Sequence, residues 1–547
     1  MSTHTSTVSR SAALVSGAAS AALALGVAEL VSATKSSGPS LVSAIGTEFV
    51  DRFAAPLKDL AVALFGTNDK AALVVGIVIN SILLGAVFGL LATRRFVFGV
   101  VGFFGFGLVG FWAYQRNPFG TTFTGIAASG AAVLVGVASL FLLLRWGRRT
   151  GERPAVPSPG PLFAERVLDG VAVGGRIAPA PTAGSMDPRW TDRRQFIGAT
   201  ALVGIAAVST AALGRRVRTN GGTEALRRAT QLPRSAAGAG TSAAAVQGFD
   251  VVGLSPYITP NAEFYRIDTA LMVPQVDTAS WRLKVSGMVD NPFELTFDEL
   301  LAMDAVEETV TLQCVSNEIG GNLVDNATWQ GVPLATLLDR AGVQAGATQI
   351  VGRSVDRWTA GFPTDVALDG RTALVCYGMN GEPLPTSHGF PARLVVAGLY
   401  GYVSATKWLS EIELTTLEDF DGYWISRGWS KDGPIKTASR IDVPRAGAAV
   451  GAGPAAIAGV AWSPPAGISM VEVQVDDDPW MECRLGEAAN DNTWVQWTVE
   501  WDAIPGDHTI RVRATDGQGA TQTDAVAAPA PDGATGWHSR RVTVNAS

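Results

Sequence analysis

Histidine and cysteine are scarce: 547 residues contain four histidines and three cysteines. Cys314, Cys376 and Cys483 stand far apart with no CxxC pair among them, which excludes a disulfide framework or a cysteine zinc cluster read from spacing. Charge is also thin, at 17% of residues with a net of -7. No basic stripe is concentrated in any soluble stretch, so nucleic acid is not an expected partner. What the chain has in quantity is apolar sequence, and it is unevenly placed.

Residues 71–93, 96–115 and 117–144 contain no charged side chain, and each reaches the ~20 residues that cross a bilayer core as a helix. Residues 196–214 form a fourth such run, and residues 11–28 a weaker one closed by Glu29. Five spans are expected. Arg94 and Arg95, then Arg145, Arg148 and Arg149, mark loops held on the cytoplasmic side. Counting from them puts the N-terminus inside and everything after Gly214 outside, giving a multi-pass protein of the cell membrane whose C-terminal half is extracytoplasmic. Arg193 and Arg194, followed by Phe196 and an Ala/Gly-rich run, resemble a twin-arginine export signal. Its place after four spans favours a retained anchor over a cleaved peptide.

Composition divides the rest. Residues 1–149 form a helical transmembrane region, and 150–191, rich in Pro, Gly and Arg, a cytoplasmic linker. Residues 192–247 are an anchor helix followed by a flexible tether. Residues 248–440 mix alternating segments such as SWRLKV (280–285) with the helical PLATLLDRAG (333–342), an α+β pattern without βαβ repetition. From 441 to 547, VEVQVD, TWVQWTVEW and TIRVRATD alternate with period two between turns, as in a small antiparallel sandwich. The tryptophans there are expected to pack in the core and on the sheets.

A lone cysteine in an apolar strand is ordinarily a small buried hydrophobe. The stretch TLQCVSNEIGG around Cys314 has company, however. It is followed by ATWQGVPLATLL, MNGEPLPTSHGFPARLVV and LYGYVSATKWLSEIEL. In order and spacing these resemble the catalytic domain of the sulfite oxidase superfamily of molybdopterin enzymes. The region from 441 onward resembles that family's Ig-like dimerisation domain. The resemblance covers about residues 249 to 545, and with the helices it implies a multidomain chain: all-α transmembrane helices, an α+β sulfite-oxidase-type molybdopterin domain, then an Ig-like β-sandwich.

Carried over, the resemblance makes Cys314 the single protein ligand to molybdenum and the catalytic residue, a soft thiolate suited to a dithiolene-held metal. It assigns the pterin to Tyr265 and Arg266 of NAEFYRID, with Asn261 weaker, to Ser354 of GRSVDRW, to His388 and Arg393 of HGFPAR, and to Ala405, Thr406 and Lys407 of GYVSATKW. Arg393 offers a planar fork suited to phosphate. Asp356, Trp358 and Tyr400 are candidates to contact substrate by their nearness to these motifs. The implied chemistry is two-electron oxygen-atom transfer on a sulfur-containing small molecule or a protein sulfoxide. Electrons would pass to or from a membrane quinone or a cytochrome, and the C-terminal domain is expected to support a homodimer.

Two departures matter. Sulfite oxidases proper follow the cysteine motif with paired arginines, whereas here Glu318 and Ile319 stand in that place, which disfavours a dianionic substrate. No histidine lies in a span, so no haem is expected in this chain. Two other readings stay open on the residues alone: an exported cysteine hydrolase using Cys314 with His388 as base, and a membrane-tethered binding module without catalysis.

Overall fold

The computed structural model describes residues 8–35, 38–50, 52, 69–149, 188–219, 222–237 and 246–546. They fall into two compact units, Met1–Thr219 and Asn220–Ser547, each with its own core. Of the expected linker, 150–187 lies outside the described residues, as does 238–245 of the expected tether.

Among the described residues of the first unit, five helices are long and apolar enough to cross a membrane: Arg10–Ser32, Lys70–Ala92, Phe96–Arg116, Thr122–Gly147 and Arg194–Val217. The least hydrophobic of the expected spans, Arg10–Ser32, packs against three of the others. Its small residues are the reason. Gly17 meets the backbone of Gly85 and Gly89, so any β-carbon there would collide with the neighbouring helix. Ala13, Ser16 and Ser20 are fully buried beside it. Close backbone approach is what holds helices together where lipid removes the hydrophobic drive between them. The helix containing residues 70–92 gives Gly85 and Gly89 to that contact and turns Val75, Ile79 and Leu83 outward on another face. Arg193 and Arg194 lie inside a continuous helix, Pro188–Thr219.

The second unit is rich in β-structure. One sheet has the strand order Ala236–Ala237, Val306–Gln313, Val324–Pro333, Ala373–Met379 and Arg393–Val396, with Glu382–Pro383 paired to the fourth strand. Apart from the parallel first pair, its neighbours are antiparallel. A second sheet orders Phe293–Thr296, Arg282–Gly287, Leu409–Thr415, Gln349–Ser354 and Thr359–Pro363. Its parallel pair joins Arg282–Gly287 to Leu409–Thr415, so the first and last thirds of the domain meet in one ladder. Both sheets bury apolar residues in one cluster, which includes Trp329, Phe362, Phe390 and Trp408. The expected helix forms as Leu334–Ala341 and stops where Gly342 takes a left-handed φ of 68°.

After residue 437 the chain builds two further sheets, of four and five strands, around a separate core that includes Ile457, Val473, Trp497 and Ile510. Trp497 is fully buried there. Trp462 and Trp494 instead join the core of the preceding domain.

The tether differs from its expected flexible form. Thr223–Ala229 is helical, and Arg227 donates to the Pro383 carbonyl at 3.0 Å and pairs with Glu382. Gln330 holds the Pro233 carbonyl at 2.6 Å. Low complexity hid these anchors because each partner lies about a hundred residues or more away.

Candidate active site

Cys314 follows directly on the strand Val306–Gln313, at the start of the loop that turns back into Val324–Pro333. Its amide donates to the Leu323 carbonyl at 2.9 Å, and its carbonyl accepts from Asn317 at 3.0 Å. Asn317, itself buried, accepts from the Leu323 amide at 2.8 Å through Oδ1. The loop is thereby closed on itself and fixes the cysteine, which is 8% exposed. None of the three cysteines forms a disulfide.

Tyr265 and Tyr400 both feel charge on Cys314. Burial first, then Cys314, raises the Tyr265 phenol well above its ordinary range; Arg393 acts in the opposite sense. Burial pushes the Tyr400 hydroxyl up to about 12, with Cys314 adding to the effect. Tyr265 is thus within electrostatic reach of both the thiol and the buried guanidinium. Asp325, on the return strand, holds the Tyr265 segment, accepting from the Tyr265 amide at 2.6 Å and from Thr259 Oγ1 at 3.1 Å. Burial raises this carboxyl to about 6 against those two hydrogen bonds.

The basic residues gather on neighbouring segments: His388 ends the turn Thr386–His388, Arg393 begins the strand Arg393–Val396, and Lys407 lies in the loop before Leu409–Thr415. Arg393 is 3% exposed, donates to the carbonyls of His388 (3.1 Å) and Leu394 (3.4 Å), and lies 4.9 Å over the Trp329 ring. Among the described residues it has no carboxylate partner within ion-pair distance. His388, also 3% exposed, packs edge-on to Phe264. Burial, followed by Lys407 and Arg393, holds its imidazole down to about 3. Its Nδ1 is buried without a hydrogen-bond partner among the described residues. Lys407 reaches the Ser387 carbonyl at 3.3 Å and Asp268 at 3.2 Å. Burial lowers its ammonium to about 8, with Asp268 opposing the shift and Arg393 and Arg266 adding to it.

Gly389 explains how two of these segments meet. With φ of 116° it lets a β-carbon-free backbone sit against Arg393 and the Cα of Lys407. Thr406 is fully buried, its carbonyl accepting from Leu394 at 2.9 Å and its hydroxyl reaching the Gly352 carbonyl at 3.4 Å. Ala405 ends the short helix Gly401–Ser404. Arg266 is the most exposed of the predicted set and is tied to Asp268 at 2.9 Å. Ser354 closes a tight turn, its amide donating to the Trp358 carbonyl and its hydroxyl accepting from the Asp356 amide at 3.4 Å. Asn261 donates to Glu382 and the Met379 carbonyl, an anchoring role at the edge of this cluster.

Of the substrate candidates, Tyr400 is nearly inaccessible and packs against Gly533 of the following domain. Asp356 is raised by burial first and also by Asp268, which places it beside the cationic group. Glu318 is exposed on the outer part of the cysteine loop. Sequence reasoning missed Asp268, Asp325 and Trp329. Asp268 closes the NAEFYRID motif, so a search for the counter-ion of the basic residues had a signal to find. A cavity of about 610 Å³ lined by Val251, Val443, Ala455 and Trp501 among others contains none of these residues.

Residues 270–424 match the family model described as the oxidoreductase molybdopterin binding domain. That stretch contains Cys314, Ser354, His388, Arg393 and Lys407 but neither Tyr265 nor Arg266. The chain is similar to the uncharacterized oxidoreductase YuiH of Bacillus subtilis (strain 168), 37% identical over 157 residues, 29% of this chain and 76% of the relative. It is also similar to the mitochondrial sulfite oxidase of Macaca fascicularis, 30% identical over 322 residues, 50% of this chain. The match spans 58% of the sulfite oxidase's length. Among solved structures, the sulfane dehydrogenase SoxCD from Paracoccus pantotrophus aligns at 24% identity with a TM-score of 0.45, over 49% of this chain and 75% of that one.

Proposed function

Because the chain belongs to the sulfite oxidase superfamily of molybdopterin oxidoreductases, we propose that Cys314 ligates a pterin-borne molybdenum and that the His388, Arg393 and Lys407 segments hold the pterin and its phosphate. Bound there, the cofactor supplies two-electron oxygen-atom transfer. The observation that carries the reading is a pair of buried polar groups in want of a partner. Arg393 has five N–H groups but bonds only two carbonyls, and the His388 Nδ1 has no partner among the described residues. A buried cation without a counter-ion is costly unless an anion meets it. A phosphate, with several acceptor oxygens, fits that demand.

In this reading Cys314 presents its thiolate from a loop closed by Asn317, and Tyr265 is within electrostatic reach of both the thiol and Arg393. Arg266, Ser354, Ala405 and Thr406 complete the cofactor contacts. Asp356 and Trp358 contact substrate, Tyr400 being closed off against Gly533. The substrate is a small sulfur compound of the sulfite or sulfoxide type, or a protein sulfoxide. The exposed Glu318 argues against a dianion. The five apolar helices anchor the enzyme in the cell membrane. The arginine positions favour a catalytic half, 248–440, and an Ig-like domain, 441–547, outside the cytoplasm, with Arg193 and Arg194 in a retained twin-arginine anchor. Electrons pass to or from a membrane quinone or cytochrome, and the C-terminal domain pairs two copies.

The hydrolase alternative loses ground on one point. An imidazole held down to about 3 is too weak a base to activate a thiol near neutrality.

Metal and pterin analysis of full-length protein from a host that makes the cofactor tests the proposal. About one molybdenum per chain is expected, with oxygen-atom transfer from or to a sulfur substrate. Cys314→Ser should keep the pterin, since the phosphate loops are untouched, and abolish turnover. Protein that folds but carries neither molybdenum nor pterin would sink the reading.

A further inference from the structure

The turn of the cysteine loop does not rest on its own domain alone. Gly320, at φ of 68°, lies flat against the His538 ring, and a β-carbon there would overlap that ring. The His538 ring is fixed in turn, since its Nδ1 accepts from the Ile441 amide at 2.9 Å. That bond leaves the proton on Nε2, on the side facing Gly320. Next along the loop, the Gly321 carbonyl accepts from Arg440 Nη1 at 3.0 Å. The same guanidinium donates to Asp442 at 2.7 Å and to Ser255 Oγ at 2.9 Å, so three points hold its plane. At the other end, Trp462 Nε1 donates to Gln313 Oε1 at 2.8 Å, one residue before Cys314. Both of those side chains are buried.

Arg440, Trp462 and His538 all lie on strands of the two C-terminal sheets, Ala438–Val443, Gly453–Trp462 and His538–Asn545, the first of which starts before the boundary expected at 440/441. Their hold on the turn reaches the cysteine in few steps. Gly321 abuts Asn317 so closely that a β-carbon would press on its Oδ1. That oxygen takes the Leu323 amide, and the Leu323 carbonyl takes the Cys314 amide. A shift of the turn therefore moves the atoms that fix Cys314. Two adjacent glycines are what permit such close approach, one by its backbone angle and both by their lack of a side chain.

We propose that Arg440, Trp462 and His538 are positioning residues for Cys314, so that the C-terminal domain sets the pose of the thiol in addition to any part it has in pairing chains. The claim rests on the reading of Cys314 as the metal ligand, but its test separates the two.

Two measurements on the full chain decide it. In protein made without the pterin, the rate of Cys314 alkylation by iodoacetamide, followed on its own peptide by mass spectrometry, reports how firmly the loop is held. In cofactor-loaded protein, the g values of the Mo(V) EPR signal report the geometry at sulfur. R440M and H538Q should each raise the alkylation rate about tenfold, the scale of one lost buried hydrogen bond in a local opening, and shift the g values while molybdenum content stays near that of the unaltered chain. W462F, which keeps an aromatic ring but loses the donor to Gln313 and part of the buried indole, should act in the same direction. H508Q, in the same domain but away from the loop, should change neither. Alkylation rates and g values unchanged in both R440M and H538Q would overturn the proposal, as would an equal change in H508Q. An unaltered chain without molybdenum would defeat the functional reading alone, and the alkylation rates would still decide the positioning claim.

Discussion

Lys407 Nζ lies 3.2 Å from Asp268 Oδ2, and the same carboxylate oxygen takes Arg266 Nε at 2.9 Å. Asp268 is well buried, with a side chain 7% exposed. One acid therefore serves two cations, while Arg393, electrostatically coupled to Lys407, has no carboxylate of its own among the described residues. The cluster carries an excess of positive charge in a low-dielectric setting. That excess is costly without a counter-ion and makes the cluster respond to pH.

Cofactor retention should weaken above pH about 8. Lys407 is lowered from 10.5 to about 8, chiefly by burial. Between those values the unfolded chain binds the proton that the folded chain releases, so the cofactor-free protein gains stability as pH rises from about 8 to 10.5. Phosphate binding has the opposite need, because the ammonium must be charged to meet the anion. Pterin and molybdenum remaining after gel filtration across pH 6.5 to 9.5, a range chosen about the shifted value, would trace the loss. Asp268→Asn removes the principal group supporting the charge and should move the midpoint below 8. A D268N profile superimposed on that of the unaltered chain would show that the carboxylate plays no such part.

Arg393 provides a test in which binding and stability part company. Lysine in its place keeps the charge but loses the planar fork over Trp329 and one of two carbonyl bonds. Cofactor affinity should fall by roughly tenfold in R393K and by a hundredfold or more in R393Q, in line with charge-assisted hydrogen bonds worth about 1.5–3 kcal/mol. The cofactor-free R393Q chain should nonetheless melt at or above the temperature of the unaltered one, because an uncompensated buried charge has been removed. Equilibrium retention of pterin and a thermal melt of the same samples give both numbers. A melting temperature that drops as far as the affinity would assign Arg393 a structural role instead.

The parts of this site that the sequence disclosed are those that lie close together in the chain. Cys314 with its Gly-Gly turn, HGFPAR and GYVSATKW are each short and chemically distinctive, and the helix 333–342 is bounded by its own Pro and Gly. What stayed hidden depends on distance. Lys407 and Asp268 are 139 positions apart, and Arg440 and Gly321 are 119 apart. No local pattern marks either pair. The first apolar helix was legible as the weakest of the five spans, but not its place in the packing: the Gly, Ala and Ser that lower its hydropathy are what allow it to lie among three other helices. The tether misled because alanine-rich, weakly patterned sequence gives no sign of the carbonyls at Pro233 and Pro383 that fasten it down.

The C-terminal domain carries a pH response of its own, independent of cofactor. His508 Nδ1 stands 2.7 Å from Asp476 Oδ2, and its Nε2 is 2.9 Å from the Ile504 carbonyl, so both nitrogens are best served when the ring is protonated. The Asp476 hydrogen bond, ahead of a small opposing effect of burial, raises the imidazole above 6.5. Asp476 is lowered below 3.8, first by the Thr509 amide and then by His508. The histidine's contribution is fully present below pH 6.5 and disappears as pH climbs through its folded value; the aspartate's is present above 3.8 and disappears on acidification. The pair therefore stabilises most between these limits. Asp476 is nearly half exposed, so solvent screening keeps the effect small. H508Q should lower the melting temperature by about 1–2 °C at pH 5 and by less at pH 8.5. Differential scanning fluorimetry on the full chain at the two pH values checks it, and a deficit that is equal at both, or larger at the alkaline one, would mean that the charged imidazole is not what holds the turn.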